Sequence, residues 1–211
     1  MALYLHKELD DDAQLYVWEI TETEQELLAS TAVPDDELEE LNFTRSEARR
    51  KEKLATRALL NEIFPEKLYL GHHDNGKPFL QNTAMEISIS HTERFVAILL
   101  HPDEDLGIDI ECLNRDFSAV EKKALSEDEI EDLSDKKRTL QLAIYWCAKE
   151  AIYKRMSLYG VDFAEQIEIE RFNPDDEGEL DATFTYKDGT ELELELCYEV
   201  IEDHVMVWVV G

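Results

Sequence analysis

Residues 106–112 read LGIDIEC, and this short stretch fixes the reading of the whole chain. Ile108 and Ile110 alternate with Asp109 and Glu111. In a β-strand successive side chains point to opposite faces, so the two isoleucines share one face and the two acids share the other. Gly107 precedes the pair, and the polar run HPDED before it marks a surface turn. An apolar face belongs against a core. The acidic face needs another explanation, and a second stretch, YWCAKEAIYKRM at residues 145–156, bears on it.

In that stretch Trp146, Glu150 and Lys154 recur every four residues, which on a helix puts them on one face about 6 Å apart along the axis. Taken alone, Glu150 and Lys154 read as an i,i+4 ion pair on a solvated helix, and Asp109 and Glu111 as exposed residues of a half-buried strand. If this helix packs beside that strand, however, three carboxylates converge. Like charges about 4 Å apart repel by roughly 4 kcal/mol at an effective dielectric of 20. A hard divalent cation, Mg²⁺ above all, relieves such repulsion through oxygen ligands.

Composition narrows the classes. The chain has 211 residues, 44% hydrophobic and 34% charged, enough for one sizeable domain or two small ones with a true core. Acids outnumber bases 50 to 21, for a net charge of −29. That surface repels nucleic-acid backbones and anionic membranes, so neither is expected as a partner. No run of about 18 apolar residues occurs, and MALYLHKELDDDAQ lacks the basic-then-apolar order of a secretory signal. Cys112, Cys147 and Cys197 have no CxxC spacing, which fits reduced thiols and a cytoplasmic location. Six bases lie between residues 45 and 57 and eight between 122 and 155. From residue 161 onward only Arg171 and Lys187 remain, among sixteen acids. The middle of the chain can therefore still hold an anion, because charges beyond a Debye length of roughly 8 Å are screened.

The periodicities give an α+β order. A strand at AQLYVWEI is followed by a threonine-capped helix at TETEQELLAST and a long helix from about residue 44 to 64, ended by Pro65. After LYL and the polar turn HHDNGKP, the apolar runs EISIS and FVAILL read as paired strands, and LGIDIE follows as a third strand. Helices are expected at about 118–125, 126–133 and 136–158. Strands are expected at QIEIERF, DATFTY, ELELELCYEV and VMVWVV, with Asp188-Gly189 as a hairpin turn. Helix followed by strands occurs in both halves, which suggests two similar α+β lobes. Adjacent His72, His73 and Asp74 sit in a polar turn with poor geometry for chelation and read as surface.

GIDIE followed about forty residues later by WCAKEAIYK closely resembles the paired signature of the 4′-phosphopantetheinyl transferase superfamily. EARRKEKLATRALL, NGKPFL and SISHT are similar to further segments of the same family, so the resemblance covers most of residues 44–165. The length resembles the larger, monomeric Sfp type. It implies two lobes with pseudo-twofold symmetry, each an antiparallel sheet packed on helices, with residues 1–104 forming the first and 105–211 the second, which carries the metal motifs. It further implies transfer of the 4′-phosphopantetheine of coenzyme A to a serine of an acyl or peptidyl carrier protein, with Mg²⁺ (or Mn²⁺) as cofactor and release of 3′,5′-ADP. Position by position, Asp109, Glu111 and Glu150 match the family's metal ligands. Glu129 of ALSEDEI matches a proposed general base. Lys154 matches a lysine that contacts the coenzyme A phosphates, and Arg57, Lys77, Ser90 and His91 match nucleotide-binding positions, with Arg49 a weaker candidate of the same kind. A silent coenzyme A or carrier-protein binding module and a Mg²⁺-dependent phosphohydrolase are the alternative readings.

Overall fold

A computed structural model describes residues 3–66, 68–81 and 83–211. The chain divides into two compact units, Met1–Asp103 and Glu104–Gly211. Among the described residues no helix is long and apolar enough to cross a membrane.

The first unit contains strands β1 (Leu3–Glu8), β2 (Gln14–Glu19), β3 (Tyr69–His72), β4 (Pro78–Gln81), β5 (Glu86–His91) and β6 (Phe95–His101). Helices α1 (Glu24–Ser30), α2 (Asp35–Phe43) and α3 (Glu47–Ile63) lie between β2 and β3. The main sheet runs β1-β2-β6-β5, antiparallel throughout, and β3 and β4 form a separate hairpin. Trp18, Leu27, Leu54, Leu59, Leu60, Ile87 and Ile98 form its core. Thr23 caps α1 as expected, in a reciprocal bond with Glu26. Strand β1 and helix α2 were not expected from the sequence. Their signals are modest: alternation in LYLHKE, and Pro34 ahead of three acids in the first turn of α2.

The second unit contains β7 (Leu106–Cys112), α4 (Ser118–Lys123), α5 (Glu127–Glu131), α6 (Arg138–Met156), α7 (Phe163–Gln166), β8 (Ile167–Ile169), β9 (Glu177–Thr185), β10 (Glu191–Ile201) and β11 (His204–Val210). Its sheet is again antiparallel, in the order β7-β11-β10-β9-β8. Helix α6 packs against β7 and β11, and its Ala143, Ile144, Cys147, Ala148, Ala151 and Ile152 meet Val205, Val207 and Val209 in the core. The helix stops where Ser157 takes a left-handed φ of 52°. Gly189 closes the β9–β10 hairpin at φ 85°, a conformation that costs glycine little. The fold is therefore α+β, with antiparallel sheets packed on helices in each unit.

One face of β9 and β10 carries a ladder of exposed acids. Glu177, Glu179 and Asp181 lie on β9, and Glu191, Glu193 and Glu195 on β10, with Asp181 directly opposite Glu195. Like charges so placed weaken the pairing.

Gly107 sets the distance between β7 and α6. A Cβ at this position would overlap the Ala151 carbonyl oxygen and come within 3.0 Å of Arg155 N, both fixed backbone atoms of α6. We expect Gly107→Ala to lower unfolding stability by about 1–3 kcal/mol through overpacking. Urea unfolding of the two proteins checks this; equal midpoints would mean that the helix can shift without cost.

Candidate functional site

Gly107, Asp109 and Glu111 share the face of β7 that the packing at Gly107 turns toward α6. The acids are therefore covered by a helix, and Asp109 is buried. Lys154, on α6, donates to Asp109 Oδ1 at 2.8 Å and to the Ile108 carbonyl at 2.7 Å. Two turns earlier on the same face, Trp146 Nε1 donates to Glu111 Oε1 at 3.1 Å. Lys154 thus forms an ion pair with the strand acid Asp109. Arg115, not singled out from the sequence, bonds to Glu111 from the turn after β7, with its guanidinium 5.4 Å from the Trp146 ring centroid and 5.6 Å from that of Phe117. Its one signal was its place four residues after Glu111.

The three acids act on one another electrostatically. Burial, then the Asp109 charge, pushes the Glu150 carboxyl up to about 7 from an ordinary 4.5, with Lys154 opposing and Glu111 adding to the rise. Burial and Asp109 likewise raise Glu111. Cys147, buried beneath them, has its thiol pushed well up by burial and by both β7 acids. Glu150 also opens onto a groove of about 410 Å³ lined by Arg115, Lys123, Trp146, Val161 and Phe163. An all-oxygen set whose own repulsion resists ionisation suits a hard divalent cation, Mg²⁺ or Mn²⁺. The three carboxylates fit the metal in kind.

Glu129 is placed differently. It is 3% exposed and closes the capping box of α5 with Ser126. One oxygen accepts from Ile169 N at 3.0 Å, and the other forms a 2.7 Å ion pair with Lys149, itself fully buried. Lys149 also donates to the Phe163 and Ile167 carbonyls. This carboxylate ties α5 to α6 and β8, and nothing as large as a carrier serine reaches it, which argues against the general-base role. Glu127 and Asp128, its neighbours in sequence, are exposed.

The nucleotide-binding candidates lie in the first unit. A cleft of about 680 Å³ there is lined by Arg49, Lys53, Arg57, His72 and His91 together with Glu37, Glu40 and Glu52. Arg57 is buried, its guanidinium forked onto Glu37 and bonded to the Leu68 carbonyl at 2.9 Å. His91 Nε2 lies 2.9 Å from Arg49 Nη1, and Lys53 pairs with Glu40 at 2.6 Å. His72, expected to be plain surface, also lines this cleft. Lys77 pairs with Glu86 at 3.2 Å and, like buried Ser90, is not among the cleft's lining residues. Ser90 sits between two residues that are, Ile89 and His91, so strand alternation turns it the other way.

Two expected outcomes follow from these contacts. Lys149→Ala leaves the buried Glu129 carboxyl without its partner and should cost ~3–5 kcal/mol in chemical unfolding; a loss under about 1 kcal/mol would show that the pair fastens nothing. Without divalent cation, the folded protein holds a proton on Glu150 that the unfolded chain releases near pH 4.5. That contribution is fully present below pH 4.5 and is lost as pH rises through about 7, at most about 3 kcal/mol. Melting temperatures in EDTA should therefore fall more steeply from pH 5 to 7.5 for the parent chain than for Glu150→Gln; identical slopes would contradict the placement of Glu150.

A family model described as the 4′-phosphopantetheinyl transferase superfamily matches residues 105–209. A comparison with curated proteins gives no match. The matched span carries the β7 acids, the Glu150–Lys154 helix and the sheet that supports both. Through this second unit the chain belongs to the 4′-phosphopantetheinyl transferase superfamily.

Proposed function

We propose that this chain transfers the 4′-phosphopantetheine group of coenzyme A to a serine of an acyl or peptidyl carrier protein, with release of 3′,5′-ADP. The observation that carries this reading is the convergence of Asp109, Glu111 and Glu150 beside Lys154 on one face of β7, inside the family-matched span. The two successive α+β units support assignment to the larger, two-lobed type of the family.

In the reaction the serine oxygen forms a bond to the β-phosphorus of coenzyme A. The bond from that phosphorus to the bridging oxygen breaks, and 3′,5′-ADP leaves with the electron pair. Phosphoryl transfer of this kind depends mainly on positioning and charge neutralisation. Asp109, Glu111 and Glu150 would hold Mg²⁺ or Mn²⁺, which when bound supplies positive charge to the pyrophosphate oxygens. Lys154, anchored at Asp109, adds a second positive charge at the same place. Glu150 opens onto the groove and is the carboxylate best placed to receive the serine proton, directly or through water. Trp146 and Arg115 hold Glu111 from two sides and so fix the direction of its carboxylate. In the first unit, Arg49, Arg57 and His91 are the groups for the nucleotide and its phosphates. Arg57 serves that role only if Glu37 yields its place to a phosphate.

The deciding experiment is intact-protein mass spectrometry of apo-carrier domains from fatty-acid, polyketide and peptide synthesis, incubated with the protein, coenzyme A and Mg²⁺. A gain of one phosphopantetheine on the carrier serine, abolished by EDTA, is the expected result. Asp109→Ala and Glu150→Ala should each slow transfer by on the order of 10²–10³-fold while the circular dichroism spectrum stays unchanged. Coenzyme A binding without transfer to any carrier would favour a silent binding module. Cleavage of coenzyme A by water, independent of a carrier, would favour a phosphohydrolase.

A further inference from the structure

A second knot of metal-ligating side chains lies apart from the three acids. Cys112, Asp203 and His204 each place one ligand atom within 4.8 Å of the others. Strand register produces the meeting: His204 opens β11 and pairs directly with Cys112 at the end of β7, while Asp203 sits in the tight turn just before His204. Cys112 and Glu111 are consecutive residues of β7, so they point to opposite faces of the strand. The two donor sets are therefore separate, and this inference does not rest on the proposed transfer reaction.

The detail of the knot is that of a ligand set. Asp203 Oδ1 lies 2.9 Å from His204 Nδ1, and Asp203 Oδ2 lies 3.8 Å from Cys112 Sγ. With metal–ligand bonds of 2.0–2.3 Å and tetrahedral angles, donor atoms stand roughly 3.3–3.8 Å apart. Asp203 reaches the two other donors through different oxygens, one separation short of that range and one at its upper limit. The three residues each place a ligand atom within 4.8 Å of the others, so binding an ion requires the Asp203 carboxylate to turn. Asn114 Nδ2 donates to Asp203 Oδ2 at 3.0 Å, and Leu113 N donates to the Asp203 carbonyl at 2.8 Å. The first bond orients the Asp203 carboxylate from behind, and the second fixes the backbone of the turn that carries it. The His204 side chain is only 3% exposed, whereas that of Asp203 is 45% exposed, which holds the imidazole firmly and leaves one side open to solvent.

We propose that Cys112, Asp203 and His204 form a site for a borderline transition-metal ion, Zn²⁺ foremost, with its fourth position open to solvent. Sulfur and imidazole beside a single carboxylate disfavour Mg²⁺ and Ca²⁺, which take oxygen ligands. A bound ion joins the β10–β11 turn to the end of β7 and stiffens the strand that carries Asp109 and Glu111.

The test uses the full chain, reduced and freed of metal, titrated with Co²⁺ as a spectroscopic stand-in for Zn²⁺. One equivalent should produce a thiolate-to-cobalt charge-transfer band that Zn²⁺ abolishes and a large excess of Mg²⁺ does not. Cys112→Ser should remove the band, and Asp203→Asn should weaken Co²⁺ binding at least tenfold. Asp109→Ala should leave the band intact, which separates this site from the acidic cluster. Zn²⁺ should also raise the melting temperature of the parent chain but not of Cys112→Ser. No band, a band that survives Cys112→Ser and so comes from Cys147 or Cys197, or affinity untouched by Asp203→Asn would each overturn the proposal.

Discussion

The contact on which the second unit depends is the one between Gly107 and the backbone of α6 at Ala151. A helix can lie this close to a strand only where the strand presents no side chain. Because α6 touches β7 there, the residues one and two strand-steps along, Asp109 and Glu111, come under the helix face that holds Trp146, Glu150 and Lys154. The sheet supplies rigidity from the other side, since β7 is paired along its full length with β11. The burial of carboxylates that would otherwise face water, the raised Glu150 carboxyl and the lysine at Asp109 all follow from that approach.

Most of the architecture was legible in the sequence because its signals are local and strong. Threonine before EQELL, alternation in ELELELCYEV and the Asp-Gly pair each act over a few residues, and each formed the element expected of it. Strand β1 and helix α2 escaped notice because their patterns are short and polar, so packing decides them rather than propensity. At the site, spacing alone put Trp146, Glu150 and Lys154 on one face. It could not tell that Lys154 bonds across to the strand, since that depends on how closely two distant segments pack. Glu129 has the opposite history: the resemblance offered it as a general base, yet Lys149 reaches it inside the core. No local pattern distinguishes a buried acid from an exposed one when its partner lies twenty residues away.

The cleft of the first unit adds a second theme. Its cations do not stand alone, because Glu37 holds Arg57, Glu40 holds Lys53 and Glu52 holds Arg49. An anionic ligand entering there exchanges one carboxylate partner for another rather than finding bare positive charge. The gain is then the difference between two charge-assisted interactions, which favours ligands offering several oxygens in a fixed geometry over a simple anion.

The acidic ladder on β9 and β10 has a consequence beyond its own sheet. An open antiparallel face with regular rows of side chains is the kind of surface on which a second sheet stacks, and unfolded or neighbouring chains find such faces during synthesis. Six carboxylates on the same face of two adjacent strands make that stacking a meeting of like charges. The ladder weakens its own hairpin slightly, and in return it keeps crowded copies of the protein from adhering through this face.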